Sequence, residues 1–203
     1  GRTAAPASMD DADFNEQRHL ESMKRGGIPL ILLRHYLLKL RLCYIMGDIN
    51  GALDAGRSCR KLLHYHLGTI IIPEFQFFYA LALAAAHADV PRARRHFLRR
   101  QIRRCRDRLA ALADKCPENF RHKYLIVAAE YARISGRPLN AMAFHHQGAA
   151  DAKENEFVQH YAIANELAAA FYLDRRFDEA ARICLRAALE AYQQWGAAAK
   201  GQQ

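Results

Sequence analysis

The clearest pattern of hydrophobic positions lies in residues 155–196, where apolar side chains recur at intervals of three and four. Because a helix completes a turn in roughly 3.6 residues, this spacing places them on one face of each of two helices. Polar residues 174–176 separate the two runs and predict a short turn. The stretch therefore predicts a hairpin of two antiparallel helices.

Small residues mark where the two helices of this hairpin are expected to touch. Alanine stands at Ala168, Ala180 and Ala187, and a side chain of this size lets two backbones approach closely. The rings of Phe171 and Phe177 are expected to fill the space beside these alanines. Six positions match the consensus of tetratricopeptide repeats, whose period is about 34 residues: Leu167, Ala168, Phe171, Phe177, Ala180 and Ala187.

Similar periodicity predicts helices over most of the remaining chain, at residues 13–24, 29–46, 49–67, 73–88, 91–115, 118–134 and 139–154. Ile70, Ile71 and Ile72 are predicted to be extended, because β-branched residues and the position before Pro73 disfavour helical geometry. Asp89 is predicted to cap the helix over residues 91–115.

The succession of hairpins predicts an all-α fold, namely a right-handed, tetratricopeptide-like (TPR-like) superhelix of four to five antiparallel helix hairpins. Residues 1–12 hold few large apolar groups and are predicted to be a disordered linker. Residues 13–200 are predicted to form a single helical-repeat domain.

The composition, with 51% hydrophobic and 25% charged residues, is that of a folded soluble protein. Five widely spaced cysteines without a CxxC pair indicate small buried residues in a reducing compartment. The longest apolar run is interrupted by Arg34, His35 and Lys39, so no membrane span is expected, and the first residues lack the apolar core of a signal peptide. These features predict a cytoplasmic protein that does not act in a membrane.

The net charge of +9 is concentrated in residues 91–108, which hold nine arginines, one aspartate and a local net charge of +8. On a helix these arginines form two rows, which together are the candidate interaction surface: Arg92, Arg95, Arg99, Arg103 and Arg106, and then Arg100, Arg104 and Arg108. Such a surface could bind phosphates, an acidic protein or anionic lipid, or it could simply be a solvated helix face. Phe97 is the one interleaved aromatic residue, which makes nucleic acid an unlikely partner.

No catalytic, cofactor-binding or metal-binding residue is predicted. The histidine pairs His64 and His66, and His145 and His146, would diverge around a helix and could not easily share a metal ion. Neither a glycine-rich phosphate loop nor a kinase catalytic loop occurs, and no cysteine stands beside a base. An enzyme site among buried histidines such as His160 is kept as a third hypothesis.

Three stretches resemble the helical-repeat region of very large multidomain signalling kinases: IPEFQFFYALALAA, CPENFRHKYLIVAAEYARISGRPLNAM and AKENEFVQHYAIANELAAAFYL. In that family a Ser/Thr protein-kinase-like domain and an AAA-type ATPase precede the region, and a GAF domain and a histidine kinase often follow it. The resemblance covers about residues 29–200. It implies a scaffold that couples an NTPase switch to an output kinase.

Two hypotheses for function follow. The first is a non-catalytic scaffold for protein–protein interaction within a larger signal-transduction protein, with other proteins or flanking domains of the same chain as partners. The alternative is a stand-alone basic adaptor that binds an acidic protein or nucleic acid through the arginine-rich helix over residues 91–115.

Overall fold

The computed structural model describes residues 7–27, 29–65 and 70–201. Within these ranges every regular element is a helix and no strand occurs, which confirms the all-α prediction. The chain divides into two compact units, one ending at Ala86 and the other beginning at His87. The single domain over residues 13–200 and the linker over residues 1–12 stay predictions, and residues 1–6 lie outside the described residues.

The first unit contains α1 (Glu16–Gly26), α2 (Pro29–Ile45), α3 (Ile49–Leu62), a 3₁₀ turn (Leu63–Tyr65) and α4 (Ile71–Ala85). Helices α2 and α3 form a hairpin, and α4 packs on both of them. Gly56 lets α3 approach α4 closely, because a Cβ atom there would lie 2.4 Å from Cδ2 of Tyr79. Helix α4 is buried along nearly its whole length, because it is apolar nearly all round.

Two local predictions near the ends of α4 and α5 were wrong. Ile71 and Ile72 are helical rather than extended, since Pro73 stands in the first turn of α4, where its missing N–H has no partner to lose. Asp89 does not cap the arginine-rich helix, because it lies in a turn two residues before Pro91, which is itself the N-cap residue of a helix that begins at Arg92.

The second unit contains α5 (Arg92–Ala113), α6 (Pro117–Ile134), α7 (Pro138–Glu154), α8 (Val158–Leu173), α9 (Asp178–Trp195) and the short α10 (Ala198–Gly201). Each of these helices packs on the next, and α6 also contacts α8. The turn predicted at residues 174–176 is present, with Arg176 in the left-handed conformation at φ 63°. These packing contacts between neighbouring helices are consistent with a succession of hairpins.

Small residues occupy the crossing of α6 and α7. Ala132 and Ala141 are buried, and a Cβ atom added to Gly148 would lie 3.1 Å from Cγ1 of Ile126. Close approach at this crossing therefore depends on residues that are no larger than alanine.

The register predicted for α9 was wrong by one residue. Ala181, Ala188 and Ala191 are the buried alanines of this helix, whereas Ala180 and Ala187 are half-buried at the edge of its packed face. Phe177 precedes the helix and is 55% exposed, so it does not fill the contact as Phe171 does. Adjacent alanine pairs are equal in size, and spacing alone did not decide which member faces the core.

Within residues 7–27, 29–65 and 70–201, no helix combines the length and apolar character needed to cross a bilayer.

Candidate functional site

Helix α5 has one apolar face, and this face determines where its arginines point. Leu98, Ile102, Cys105 and Leu109 recur at steps of four and three, and all four are buried. The arginines occupy the remaining circumference, because a guanidinium group is costly to remove from water without a partner. They lie on the two flanks of the buried seam and on the solvent side between them.

The inner row of arginines lies on the flank of α5 beside α6, and two of its members are held by contacts within the second unit. Arg95 donates to the carbonyl oxygens of Ala88 at 2.8 Å and Val90 at 3.2 Å, ahead of the helix. Arg106 donates from Nε to Asp107 at 2.9 Å and lies 4.7 Å above the ring of Tyr131 on α6. Both therefore have a structural role that the sequence pattern did not reveal.

Arg99 and Arg103 lie between these two anchored arginines. Arg99 is half-buried and Arg103 is exposed, as is Arg92 at the start of the row. Among the described residues, none offers a hydrogen bond or a carboxylate to the guanidinium groups of Arg99 and Arg103. These two cations, one helical turn apart, are available to a ligand.

The outer row, Arg100, Arg104 and Arg108, is exposed along its whole length. In the part of the chain that the structure describes, no ion pair involves any of the three. The idea that neighbouring acidic residues neutralise this row therefore finds no support in these ranges.

A cleft of about 310 Å³ opens between α5 and the C-terminal end of α6. Helix α5 contributes His96, Arg99, Arg100 and Arg103, and the facing wall contributes Tyr131, Ser135 and Arg137. None of these lining residues is acidic. The cleft thus gathers four guanidinium groups around one concave surface.

Sequence reasoning missed the facing wall of this cleft. Tyr131 lies in the last turns of α6, while Ser135 and Arg137 belong to the turn before α7. Antiparallel packing of α5 on α6 places the end of α6 beside the beginning of α5, so pairing the two predicted helices would have brought Arg137 near Arg99. This information lies in how the two helices align with each other, which the periodicity of a single helix does not show.

The surroundings of the cleft are electropositive. Burial lowers the pKa of His87, and the charges of Arg99, Arg95 and Arg133 lower it further. Arg133 is itself neutralised by Glu130, to which its NH2 group donates at 2.6 Å. The lining arginines that form no ion pair among the described residues are thus Arg99, Arg100 and Arg103 of α5, together with Arg137.

The buried histidines of the second unit form structural contacts. Nε2 of His122 lies 3.2 Å from Nδ1 of His160, and Phe157 stacks on His122 with ring centroids 4.3 Å apart. Burial lowers the pKa of His122 to about 3. Burial also lowers the pKa of His145 to about 4, although the nearby Glu130 opposes this shift. The rings of His122 and His145 are therefore neutral at neutral pH, and they pack against Phe157 and Phe171.

The described residues contain no group of three or more His, Cys, Asp or Glu side chains that could hold a metal ion. His145 is buried while its neighbour His146 is exposed, which is the divergence that the helical spacing predicted. His64 is exposed, and His66 lies outside the described residues.

Three of the five cysteines are buried packing residues, as predicted, namely Cys43, Cys59 and Cys105. The prediction was wrong for Cys116 and Cys184, which are only partly buried because they lie near the end of α5 and on the edge of α9. Burial raises the pKa of Cys43 to about 11 and that of Cys59 to about 12, which keeps both thiols protonated. A protonated buried thiol is a packing group rather than a reactive one.

Glu166 of α8 is a satisfied carboxylate. It accepts a hydrogen bond from the Tyr192 hydroxyl at 2.5 Å and pairs with Lys200 at 2.8 Å. These contacts fasten α9 and α10 to α8 and leave Glu166 without the features of a general acid.

Comparisons with known proteins identify no relative of this chain: no family model, curated protein or solved structure matches it. The resemblance to the repeat region of signalling kinases therefore stays a prediction.

Proposed function

We propose that this chain is a non-catalytic interaction module whose arginine-rich helix, α5, binds an acidic segment of a protein partner. The observation that carries the proposal is the set of α5 arginines without acidic partners in the described residues, at Arg99, Arg100, Arg103, Arg104 and Arg108. A solvated helix usually mixes both signs of charge, whereas α5 holds nine arginines and a single carboxylate, Asp107, which pairs with Arg106. Like charges in rows repel each other, and an acidic ligand relieves that repulsion.

The buried seam of α5 supports a protein partner over a lipid surface. Leu98, Ile102 and Leu109 pack inside the second unit, so α5 cannot present them to a bilayer as an interfacial amphipathic helix would. Phe97 is the exposed aromatic residue among the arginines, which leaves nucleic-acid bases without a series of stacking platforms.

The scaffold is proposed to be a right-handed TPR-like superhelix, with α6–α7 and α8–α9 as successive hairpins. The contacts between α6 and α8 support this proposal, because first helices of adjacent hairpins meet in stacked repeats. Within the larger signalling protein that the sequence resemblance implies, the acidic segment could belong to a flanking domain. The arrangement of kinase and ATPase domains around the module remains part of the proposal.

Binding to a fluorescein-labelled peptide of about ten glutamates tests this function, since a purely electrostatic interaction with the arginine rows weakens as salt screens it. We expect anisotropy to report binding at about 50 mM salt that falls steeply by about 300 mM. The variant Arg104→Gln/Arg108→Gln should weaken binding severalfold, because it removes two exposed cations of the outer row.

The chain offers a matched control in Arg182→Gln/Arg186→Gln. These two arginines have the same four-residue spacing and exposure on α9, but Glu179 pairs with Arg182 there. We expect this control to bind as the wild type does. Equal losses in both variants, or no binding of the wild type at low salt, would contradict a role for α5.

A further inference from the structure

We propose that the cleft between α5 and the end of α6 is a phosphoryl-group site that takes a phosphorylated serine or threonine side chain of the partner. This proposal rests on the proposed function and assigns a ligand chemistry to one part of the α5 surface. The juxtaposition that carries it is Arg99, Arg100 and Arg103 on one wall and Arg137 on the other.

The number of cations in the cleft favours a phosphoryl group over a carboxylate. Four guanidinium groups line it, together with His96, and none of its lining residues is acidic. A carboxylate carries one charge and two oxygens, so it would leave most of these donors unpaired. A phosphoryl group carries close to two negative charges at neutral pH and three acceptor oxygens, and it accepts paired hydrogen bonds from arginine.

The dimensions of the cleft suit a side chain rather than a cofactor. Its volume of about 310 Å³ lies at the lower limit of small-molecule sites, roughly 300–1,000 Å³. Its two walls come from α5 on one side and from the end of α6 with the following turn on the other, so an extended peptide could cross the opening and insert one modified side chain.

The wall formed by α6 is held in position independently of any ligand. The guanidinium of Arg106 covers the ring of Tyr131 at 4.7 Å and is oriented by Asp107. The backbone N–H of Arg137 donates to the carbonyl oxygen of Ala132 at 3.0 Å, which fixes the turn after α6. Donors fixed before binding lose less conformational freedom when the ligand arrives.

Arg99 is the central residue of the proposed site. It is half-buried, lines the cleft and, within the described ranges, makes no hydrogen bond or ion pair. The adjacent inner-row arginines, Arg95 and Arg106, are both engaged by protein groups. A guanidinium that is partly removed from water gains more from an incoming dianion than an exposed one does.

Two labelled peptides of equal length and net charge test the proposal on the whole chain. One carries a single phosphoserine flanked by alanine and glutamate, and the other carries glutamates only. We expect the phosphoserine peptide to bind about tenfold more tightly, as an added charge-assisted pair of hydrogen bonds implies. Equal affinities would overturn the phosphoryl site and leave the acidic-partner proposal standing, whereas binding of neither peptide would contradict both.

Substitutions locate the site. Arg99→Gln/Arg103→Gln should abolish the preference for phosphoserine while the glutamate peptide loses only a few-fold in affinity. Arg137→Gln, an exposed position in the turn before α7, should reduce the same preference without touching the packing of α5. Arg104→Gln/Arg108→Gln should weaken both peptides equally, because these residues lie outside the cleft. A preference that survives in both cleft variants would overturn the assignment.

Competition experiments distinguish a phosphoprotein partner from a lipid surface or a nucleic acid. Vesicles of phosphatidylcholine with phosphatidylserine, and a single-stranded RNA, are added to the phosphoserine complex. We expect neither to displace the peptide at equal phosphate concentration. Displacement by vesicles or RNA at lower concentration than free phosphoserine would contradict a phosphoprotein partner.

Discussion

Helices α5 and α9 of the second unit each border a shallow depression of nearly the same volume, about 310 Å³ beside α5 and about 300 Å³ along α9. The depression on α9 is lined by Arg182 and Arg186, but also by Glu179 and Glu190, and Arg182 pairs with Glu179. The cleft on α5 has four arginines and no acidic lining residue. Two surfaces of equal size and similar arginine spacing thus differ in whether their charge is already compensated.

This difference indicates that arginine content alone does not make an anion site. On α9 the glutamates stand one turn from the arginines, and the helix neutralises itself. On α5 the only acidic residue, Asp107, is used by Arg106, and the other arginines of this helix form no ion pair within the described residues. The function proposed for α5 depends on this lack of internal compensation.

Acidification should produce the largest effect, and it acts on the interior of the second unit, to which α5 and α9 both belong. His145 has a pKa lowered from 6.5 to about 4, so between these pH values the unfolded chain binds more protons than the folded one. Stability is then complete above pH 6.5 and falls as the pH decreases, by up to about 1.4 kcal/mol per pH unit for each such histidine. Denaturant unfolding at pH 7.5, 6 and 5 measures this slope.

The adjacent histidines supply the control for this effect. His145→Gln should flatten the slope below pH 6.5, whereas the exposed His146→Gln should retain the slope of the wild type. A slope that is unchanged by His145→Gln would show that another group controls acid stability.

Leucine at Ala181 of α9 should cost about 1–3 kcal/mol in the free energy of unfolding, because this position is fully buried at the helix contact. The same substitution at the half-buried Ala180 should cost less than about 0.5 kcal/mol. Urea denaturation of the two variants compares them directly. A larger loss for Ala180→Leu would restore the register expected from the repeat consensus and move the buried face of α9 by one residue.

The smallest effect should have opposite signs on the two helices. Arg104→Gln/Arg108→Gln removes a like-charge pair and should stabilise the fold by roughly 0.2–0.5 kcal/mol at low salt. Arg182→Gln/Arg186→Gln removes the ion pair with Glu179 and should destabilise it by a similar amount. High salt should erase both changes. Changes of the same sign in both variants would mean that other groups neutralise the positive charge of Arg104 and Arg108, which would contradict the absence of partners for these residues.

Much of the fold could be predicted from sequence, because it depends on patterns within single helices. The turn at residues 174–176, the buried seam of α5 and the small residues at the α6–α7 crossing all follow from local spacing. The register of α9 did not, since Ala180 and Ala181 are identical in size and differ only in what faces them. Ile71 was expected to be extended but is the first residue of α4, because Pro73 is tolerated in the first turn of a helix.

Only the α5 wall of the candidate site could be predicted from sequence, again because it depends on the pattern within one helix. The arginine rows of α5 are a property of one helix, and all eight predicted residues belong to it. Their individual roles depend on partners in space, so the contacts that engage Arg95 and Arg106 could not be read from spacing. The second wall, with Tyr131 and Arg137, required the pairing of α5 with α6.

Backbone amide shifts, recorded by ¹H–¹⁵N NMR as the phosphoserine peptide is added, test most directly whether the uncompensated cleft and not the compensated one binds anions. We predict saturable shifts at Arg99, Arg103, Ser135 and Arg137, and none at Arg182 or Arg186 on α9. Equal shifts on both helices, or no shifts around the α5 cleft, would contradict the account.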